Sequence, residues 1–215
     1  MHYTSVLFDL DGTLLDTLGD LTAAMNRTLT RHGLPERTRQ QMRAALGNGA
    51  RRLMELSVPA GTDGALFETL LAEYNADYAA HCRIETAPYP GVDALLRQLH
   101  AQGRKLAIVS NKPDEAVRAL RAEFFADTVP IAVGEKAGIR RKPAPDTLLA
   151  AMAQLGAAPA STVYVGDSEV DIATARAAGL PCISVLWGFR DRDVLEQAGA
   201  QQLAADADEL ARLLD

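Results

Sequence analysis

The residues best suited to chemistry stand where apolar runs end. Val6-Leu7-Phe8 leads straight into Asp9-Leu10-Asp11-Gly12-Thr13-Leu14. Two carboxylates placed together repel each other unless a cation lies between them. An all-oxygen pair suits Mg2+, which is often held by one or two carboxylates together with substrate phosphate. Gly12 permits a sharp turn and a close approach of backbone to ligand. Paired aspartates also occur in solvated turns, and D-x-D-G opens a calcium loop. A calcium loop needs further oxygen ligands at fixed offsets, a late Glu and flanking helices. Here Thr13-Leu14-Leu15 follows, and the preceding run reads as a buried strand.

A second acidic group, Val165-Gly166-Asp167-Ser168-Glu169-Val170-Asp171, also ends an apolar run. Asp167 can join Asp9 and Asp11 around one metal ion. Ser168 and Asp171 are placed to orient Asp167 or a nearby cation. Asp and Ser also favour helix N-termini, so capping is the competing reading. Ser110-Asn111 follows Leu106-Ala107-Ile108-Val109. Its hydroxyl and amide can bind phosphate oxygens at the start of the next helix, or simply cap that helix. Arg140-Arg141-Lys142-Pro143 brings cations. Lys142 can balance the anionic site and hold a phosphoryl group, although a solvated basic loop is the ordinary reading of such a run. His2 is read as part of a loose terminus, and His32, His81 and His100 as helix-surface residues, so no Ser-His-acid triad is expected.

The elements that position these groups follow from the hydrophobic pattern. Val6 to Phe8, Leu106 to Val109, Val129 to Val133, Val163 to Val165 and Cys182 to Leu186 are short, uncharged and β-branched. That is the pattern of parallel strands buried on both faces. Helical patterns separate the later runs: Val92, Leu95, Leu96 and Leu99; Val117 and Leu120; Leu148, Leu149, Met152 and Leu155; then an Ala-rich stretch that stops near Gly179. Alternation of this kind predicts a doubly wound α/β core with ligands beyond the carboxyl ends of the strands. The stretch from Asp16 to Tyr89 breaks it. Leu18, Leu21, Met25 and Leu29 form one helical stripe, and Leu66, Leu70, Tyr74 and Tyr78 another. A folded helical insertion is expected there, not a loop.

Composition sets outer bounds. The 215 residues carry a net charge of −6, which argues against general nucleic-acid binding. Cys82 and Cys182 form no metal-binding pattern, and their scarcity fits a reducing cytosol. No secretory pattern and no run of ~20 apolar residues is visible. The expectation is a cytoplasmic monomer or homodimer without a membrane or nucleic-acid partner, acting on a small phosphorylated metabolite.

Taken in order, Asp9-Leu10-Asp11-Gly12-Thr13, Ser110-Asn111, Lys142-Pro143 and Gly166-Asp167 through Asp171 resemble the four motifs of the haloacid dehalogenase superfamily of phosphatases. Within it, Asp9 to Asp20 and Gly47-Asn48-Gly49 look most like phosphoglycolate phosphatases. The resemblance implies a Rossmann-like sheet of strand order 5-4-1-2-3 with an α-helical cap, the core at 1–15 and 90–215 and the cap at 16–89. It implies Mg2+ held by Asp9, Asp167 and the Asp11 carbonyl, with Asp9 as nucleophile and Asp11 as general acid and base. Gly12, Thr13, Ser110, Asn111 and Lys142 would bind the phosphoryl group. The cap would close as a lid, with Arg43, Asn48 and Gly49 choosing the leaving group. Pyrophosphatases and phosphosugar mutases share this plan, and a phospho-ligand binding protein without turnover is the reading from another class. Thr13 favours a phosphatase over a mutase.

Overall fold

The computed structural model describes residues 3–215, so the reading of His2 concerns a residue outside them. The chain divides into two compact units, Met1–Asp16 with Pro88–Asp215, and Thr17–Ala87. It begins with strand β1 (Ser5–Phe8) and a two-residue strand β2 (Leu15–Asp16). Four helices follow: α1 (Leu18–Arg31), α2 (Arg39–Ala45), α3 (Gly49–Ser57) and α4 (Gly64–His81). The chain returns through β3 (Ala87–Pro88) to α5 (Val92–Ala101), β4 (Lys105–Pro113), α6 (Asp114–Phe124) and β5 (Ile131–Glu135). It ends with α7 (Asp146–Leu155), β6 (Thr162–Gly166), α8 (Glu169–Ala178), β7 (Cys182–Val185), α9 (Arg192–Gln197), β8 (Gln202–Ala204) and α10 (Ala207–Leu214).

The apolar runs pair as parallel strands in the order β5-β4-β1-β6-β7-β8. The first five fall in the expected order, and β8 adds a sixth. Successive side chains point to opposite faces of a strand. Leu7, Ala107, Val109, Val133 and Tyr164 therefore share one face, where they meet Leu148, Ala151 and Met152 of α7 and Ala175 of α8. Val6, Phe8, Ile108, Val163 and Val165 point the other way and are also fully buried. Two buried faces explain why these runs carry no polar alternation.

Register decides what emerges at the sheet's carboxyl edge. Phe8 lies opposite both Ile108 and Val165. The residues just after β1, at the end of β4 and just after β6 are thus delivered to one level. That is why Asp9, Ser110 and Asp167, far apart in sequence, share a neighbourhood.

Some local expectations shift. The third strand of the sheet starts at Ile131, not at Val129, whose N–H bonds to Phe125 O. Leu149, placed on the apolar stripe of α7, is exposed instead. No helix among the described residues is long and apolar enough to cross a membrane.

In the helical unit, Leu18, Leu21, Met25 and Leu29 of α1 are all buried. So are Leu70, Leu71, Tyr74 and Tyr78 of α4. The unit closes on a single carboxylate. Asp20, in the first turn of α1, accepts from the N–H groups of Ile84, Glu85 and Thr86, each at 3.0 Å, and from Thr86 Oγ1 at 2.8 Å. Removing a charged acceptor leaves several buried donors unmet. Asp20→Ala should therefore lower the stability of the protein by about 2–4 kcal/mol, read as a fall in the urea midpoint. A midpoint within error of the wild type would show that the clamp carries no stability.

Candidate active site

Asp9 occupies the last rung of β1. Its N–H still donates to Val165 O at 2.8 Å. Its carboxylate Oδ1 accepts from the Leu10 N–H at 2.7 Å and from Lys142 Nζ at 2.9 Å. The chain then turns tightly. The N–H groups of Leu14 and Leu15 both donate to Leu10 O at 3.0 Å, and Gly12 N–H donates to Leu15 O at 3.0 Å. Gly12 adopts φ +83°, a left-handed conformation that suits glycine. A Cβ there would lie 2.3 Å from Asp167 Oδ2, so the second acidic loop can approach only because this side chain is missing.

Asp167 is gripped from a third loop. Its Oδ2 accepts from the Phe189 N–H at 2.7 Å, and its Oδ1 lies 3.5 Å from Thr13 Oγ1. Trp187 Nε1 donates to Thr13 O at 3.0 Å. Between them, a Cβ on Gly188 would sit 2.3 Å from Asp167 Cβ and 2.4 Å from Gly12 O. The segment 187–189 thus ties the two acidic loops together. Sequence reading missed it; the usable signal was a glycine-bearing loop at the carboxyl end of a strand.

Lys142 is the hub. Its buried ammonium reaches Asp9 Oδ1 at 2.9 Å, Asp171 Oδ1 at 2.8 Å and the Tyr164 hydroxyl at 2.9 Å. Three short contacts match the three protons of an ammonium. Tyr164 O–H in turn donates to Asp171 Oδ1 at 2.9 Å. Asp171 Oδ2 accepts from Ser168 N–H at 3.1 Å and Ser168 Oγ at 2.6 Å. The capping and functional readings of Ser168 and Asp171 therefore both hold, one on each carboxylate oxygen. Tyr164 was read only as a strand residue, although a tyrosine inside an aliphatic strand needs a partner for its hydroxyl.

Asn111 differs from its expected role. Its side-chain amide donates to Lys142 O at 3.0 Å, and its amide oxygen accepts from the Lys142 N–H at 2.8 Å. Both ends of the amide are spent on fixing the backbone of Lys142, so it orients that lysine. Ser110 is buried beside it and accepts from the Lys112 N–H at 3.3 Å. Lys112, also missed in sequence, places Nζ 2.8 Å from Asp11 Oδ1. Arg43 lies within α2, Asn48 is the residue before α3, and Gly49 opens α3 with φ +78°. These three belong to the helical unit.

The charges divide unevenly. Burial alone would raise the Asp171 carboxyl, but the Lys142 ammonium and its hydrogen bonds outweigh this and hold it below the usual range. Burial alone would lower Lys142, but Asp171 and Asp9 outweigh it and raise the ammonium above its ordinary value. These two form a matched pair. Asp9 and Asp167 are left in excess. Burial pushes Asp9 from 3.8 up to about 7, against the pull of Lys142 and with the charges of Asp171 and Asp11 adding to it. Burial, then the charges of Asp171 and Asp9, drive Asp167 well above its ordinary value. Ligand oxygens of Asp9, Asp167 and Asp171 lie within 4.8 Å of one another. A buried, all-oxygen cluster with surplus negative charge fits a hard divalent cation such as Mg2+. Asp9 and Asp167 are its natural holders, since Asp171 is engaged by Lys142, Tyr164 and Ser168.

A parallel sheet with acids and a lysine at its carboxyl edge defines an enzyme of the Rossmann-like α/β class. The chain belongs to the haloacid dehalogenase-like hydrolase family, whose model matches residues 6–185. Phosphoglycolate phosphatase of Xanthomonas campestris pv. campestris is 37% identical over 187 residues, covering 86% of this chain and 84% of that one. N-acetylmuramic acid 6-phosphate phosphatase of Pseudomonas aeruginosa is 32% identical over 217 residues, covering 100% and 96%. A crystal structure from Lactobacillus delbrueckii subsp. bulgaricus, provisionally named a phosphoglycolate phosphatase, superposes with a TM-score of 0.94 at 36% identity, covering 100% and 99%.

Two outcomes follow from this geometry. Gly188→Ala should displace Asp167 and lower turnover by about 100-fold or more, the scale of a 1 Å misplacement. Near-normal turnover in a folded variant would show that this close approach is dispensable. The second concerns pH. Folded Asp9 keeps its proton up to about 7, whereas the unfolded carboxyl releases it near 3.9. The folded state therefore binds more protons in that window, and metal-free stability should fall as pH rises through it. Asp9→Asn cannot ionise, so in chelator it should melt above the wild type at about pH 8, with the gap closing towards about pH 5. Thermal scans at the two pH values check this, and a gap that does not depend on pH would contradict it.

Proposed function

We propose that this protein is a Mg2+-dependent phosphatase that hydrolyses a small phosphate monoester through a phosphoaspartyl intermediate on Asp9. The observation that carries the reading is the buried Asp9 at the end of β1, held 2.9 Å from Lys142 with Asp11 two residues on. Asp9 attacks phosphorus as the ester P–O bond breaks on the opposite side, splitting one hard displacement into two easier ones. Asp11 gives its proton to the leaving oxygen. It then takes a proton from the water that attacks the phosphoaspartate, releasing phosphate and restoring Asp9. Lys142, Ser110 and the backbone amides near Gly12 and Thr13 stabilise charge on the transferring oxygens. Asp9, Asp167 and the Asp11 carbonyl would hold the cation, whose charge would offset both the carboxylates and the phosphoryl oxygens. Asn111, Tyr164, Ser168 and Asp171 act through Lys142 by fixing its ammonium.

The substrates named for the relatives, phosphoglycolate and N-acetylmuramic acid 6-phosphate, are the first to assay. Choice among leaving groups is assigned to Arg43, Asn48 and Gly49 of the helical unit, and the workplace to the cytoplasm.

Phosphate release from a panel of esters with Mg2+ tests the reading. Asp9→Asn should lose turnover on all of them, and acid-quenched wild type should retain label from a 32P-labelled ester that Asp9→Asn does not. Chelator should stop release and Mg2+ restore it. Lys142→Ala should slow every ester by about 100–1,000-fold, because each presents the same phosphoryl group. Arg43 and Asn48 substitutions should change kcat/KM unequally across the panel. Full turnover by folded Asp9→Asn would remove the nucleophile, and full activity in excess chelator would remove the cation.

A further inference from the structure

The reaction above uses Lys142 but leaves a second buried lysine without a task. Lys112 ends the Ser110-Asn111-Lys112 turn of β4 and is 7% exposed. Its side chain does not face Asp9 as Lys142 does; its Nζ lies 2.8 Å from Asp11 Oδ1. The two lysines therefore serve different carboxylates, and those carboxylates serve different ends of the reaction. Asp9 approaches phosphorus from one side. Asp11 exchanges its proton with the oxygen that departs from the other.

That division places Lys112 chemically. A general acid works within roughly 2.6–3.2 Å of the oxygen it protonates. The carboxyl that meets this condition for the leaving oxygen is the one that touches Lys112, so the ammonium sits beside the leaving group and not beside the transferring phosphoryl group. An ammonium held in a buried setting favours an anionic neighbour over a neutral one, because the desolvation it has suffered is offset by a charge-assisted contact.

We infer that Lys112 reads negative charge on the leaving group, and that the preferred substrates are phosphate esters whose leaving portion carries an anion within a bond or two of the ester oxygen. A carboxylate on the carbon that bears the ester, or a second phosphoryl group, has this chemistry. A plain alcohol, or an alcohol bearing an ammonium, lacks it. The inference rests on the phosphatase reading and adds a substrate class and a selecting residue to it. Lys112 selects by touching the substrate's variable end; the positions of Asp9, Asp167 and Lys142 do not depend on it, since their partners are Leu10, Phe189, Asp171 and Tyr164.

The test is a charge series at nearly constant size: 2-phosphoglycolate, pyrophosphate, ethyl phosphate and phosphoethanolamine, each assayed as kcat/KM. The wild type should prefer an anionic leaving group to ethyl phosphate, and phosphoethanolamine should be poorest. Preference for 2-phosphoglycolate over pyrophosphate assigns the anion as a carboxylate, and the reverse assigns it as a phosphoryl group. In Lys112→Met, the ratio of the preferred anionic substrate to ethyl phosphate should fall at least tenfold, and Lys112→Arg should restore most of it. Glycolate should inhibit wild-type hydrolysis of ethyl phosphate far better than ethanol does, a measurement that needs no variant to fold. Equal losses on charged and neutral esters in Lys112→Met would overturn the inference, because Lys112 would then merely position Asp11. No loss on either, or glycolate no better than ethanol, would overturn it too. A wild type that cleaves ethyl phosphate as well as 2-phosphoglycolate and pyrophosphate defeats the inference while leaving the phosphatase standing. A wild type that releases phosphate from no ester defeats the phosphatase itself.

Discussion

Asp9, Asp167 and Asp171 are buried within reach of one another, and most of the surrounding structure answers that electrostatic problem. Like charges at such range raise each other's pKa, and burial compounds the effect. Lys142 neutralises one carboxylate fully and shares itself with a second. The result is a site whose ordered half, Lys142 with Asp171, is complete on its own, and whose other half, Asp9 with Asp167, is short of positive charge. A cluster left in that state costs stability and favours a cation, so the feature that weakens the metal-free protein also prepares it for chemistry.

Holding the cluster together falls to loops, and the loops can do it because the sheet delivers them level. Three neighbouring strands end at one height through the register of Phe8 with Ile108 and Val165. Beyond that edge, the backbone approaches its neighbours more closely than side chains allow. Gly12 and Gly188 face Asp167 from two sides, and no residue with a Cβ fits either place without moving the carboxylate. Precision here comes from absent atoms as much as from hydrogen bonds.

Much of this was legible in the sequence, for a physical reason. Strands buried on both faces read as unbroken apolar runs, so an acid directly after such a run, as with Asp9 and Asp167, announces a functional edge. The α1 stripe of Leu18, Leu21, Met25 and Leu29 was equally plain. Groups defined by long-range partners were not. Tyr164 looked like any strand residue until Lys142 and Asp171 met its hydroxyl. Trp187 and Phe189 act on residues 174 and 22 positions away. Asn111 was assigned to phosphate because an amide at a strand end suits that role, and its spending on the Lys142 backbone is a tertiary fact. β8 is three residues long, too short for periodicity to speak.

The indole of Trp187, hydrogen-bonded to Thr13 O, has one more consequence. It is the only tryptophan in the chain, and it rests on the very turn that carries Asp9, Asp11 and Gly12. Indole emission responds to the polarity and hydrogen bonding around the ring, so the protein carries an intrinsic optical reporter wired to its acidic loops. Filling or emptying the centre can be followed by light from the native chain, with no label attached and no second fluorophore of the same kind to unmix.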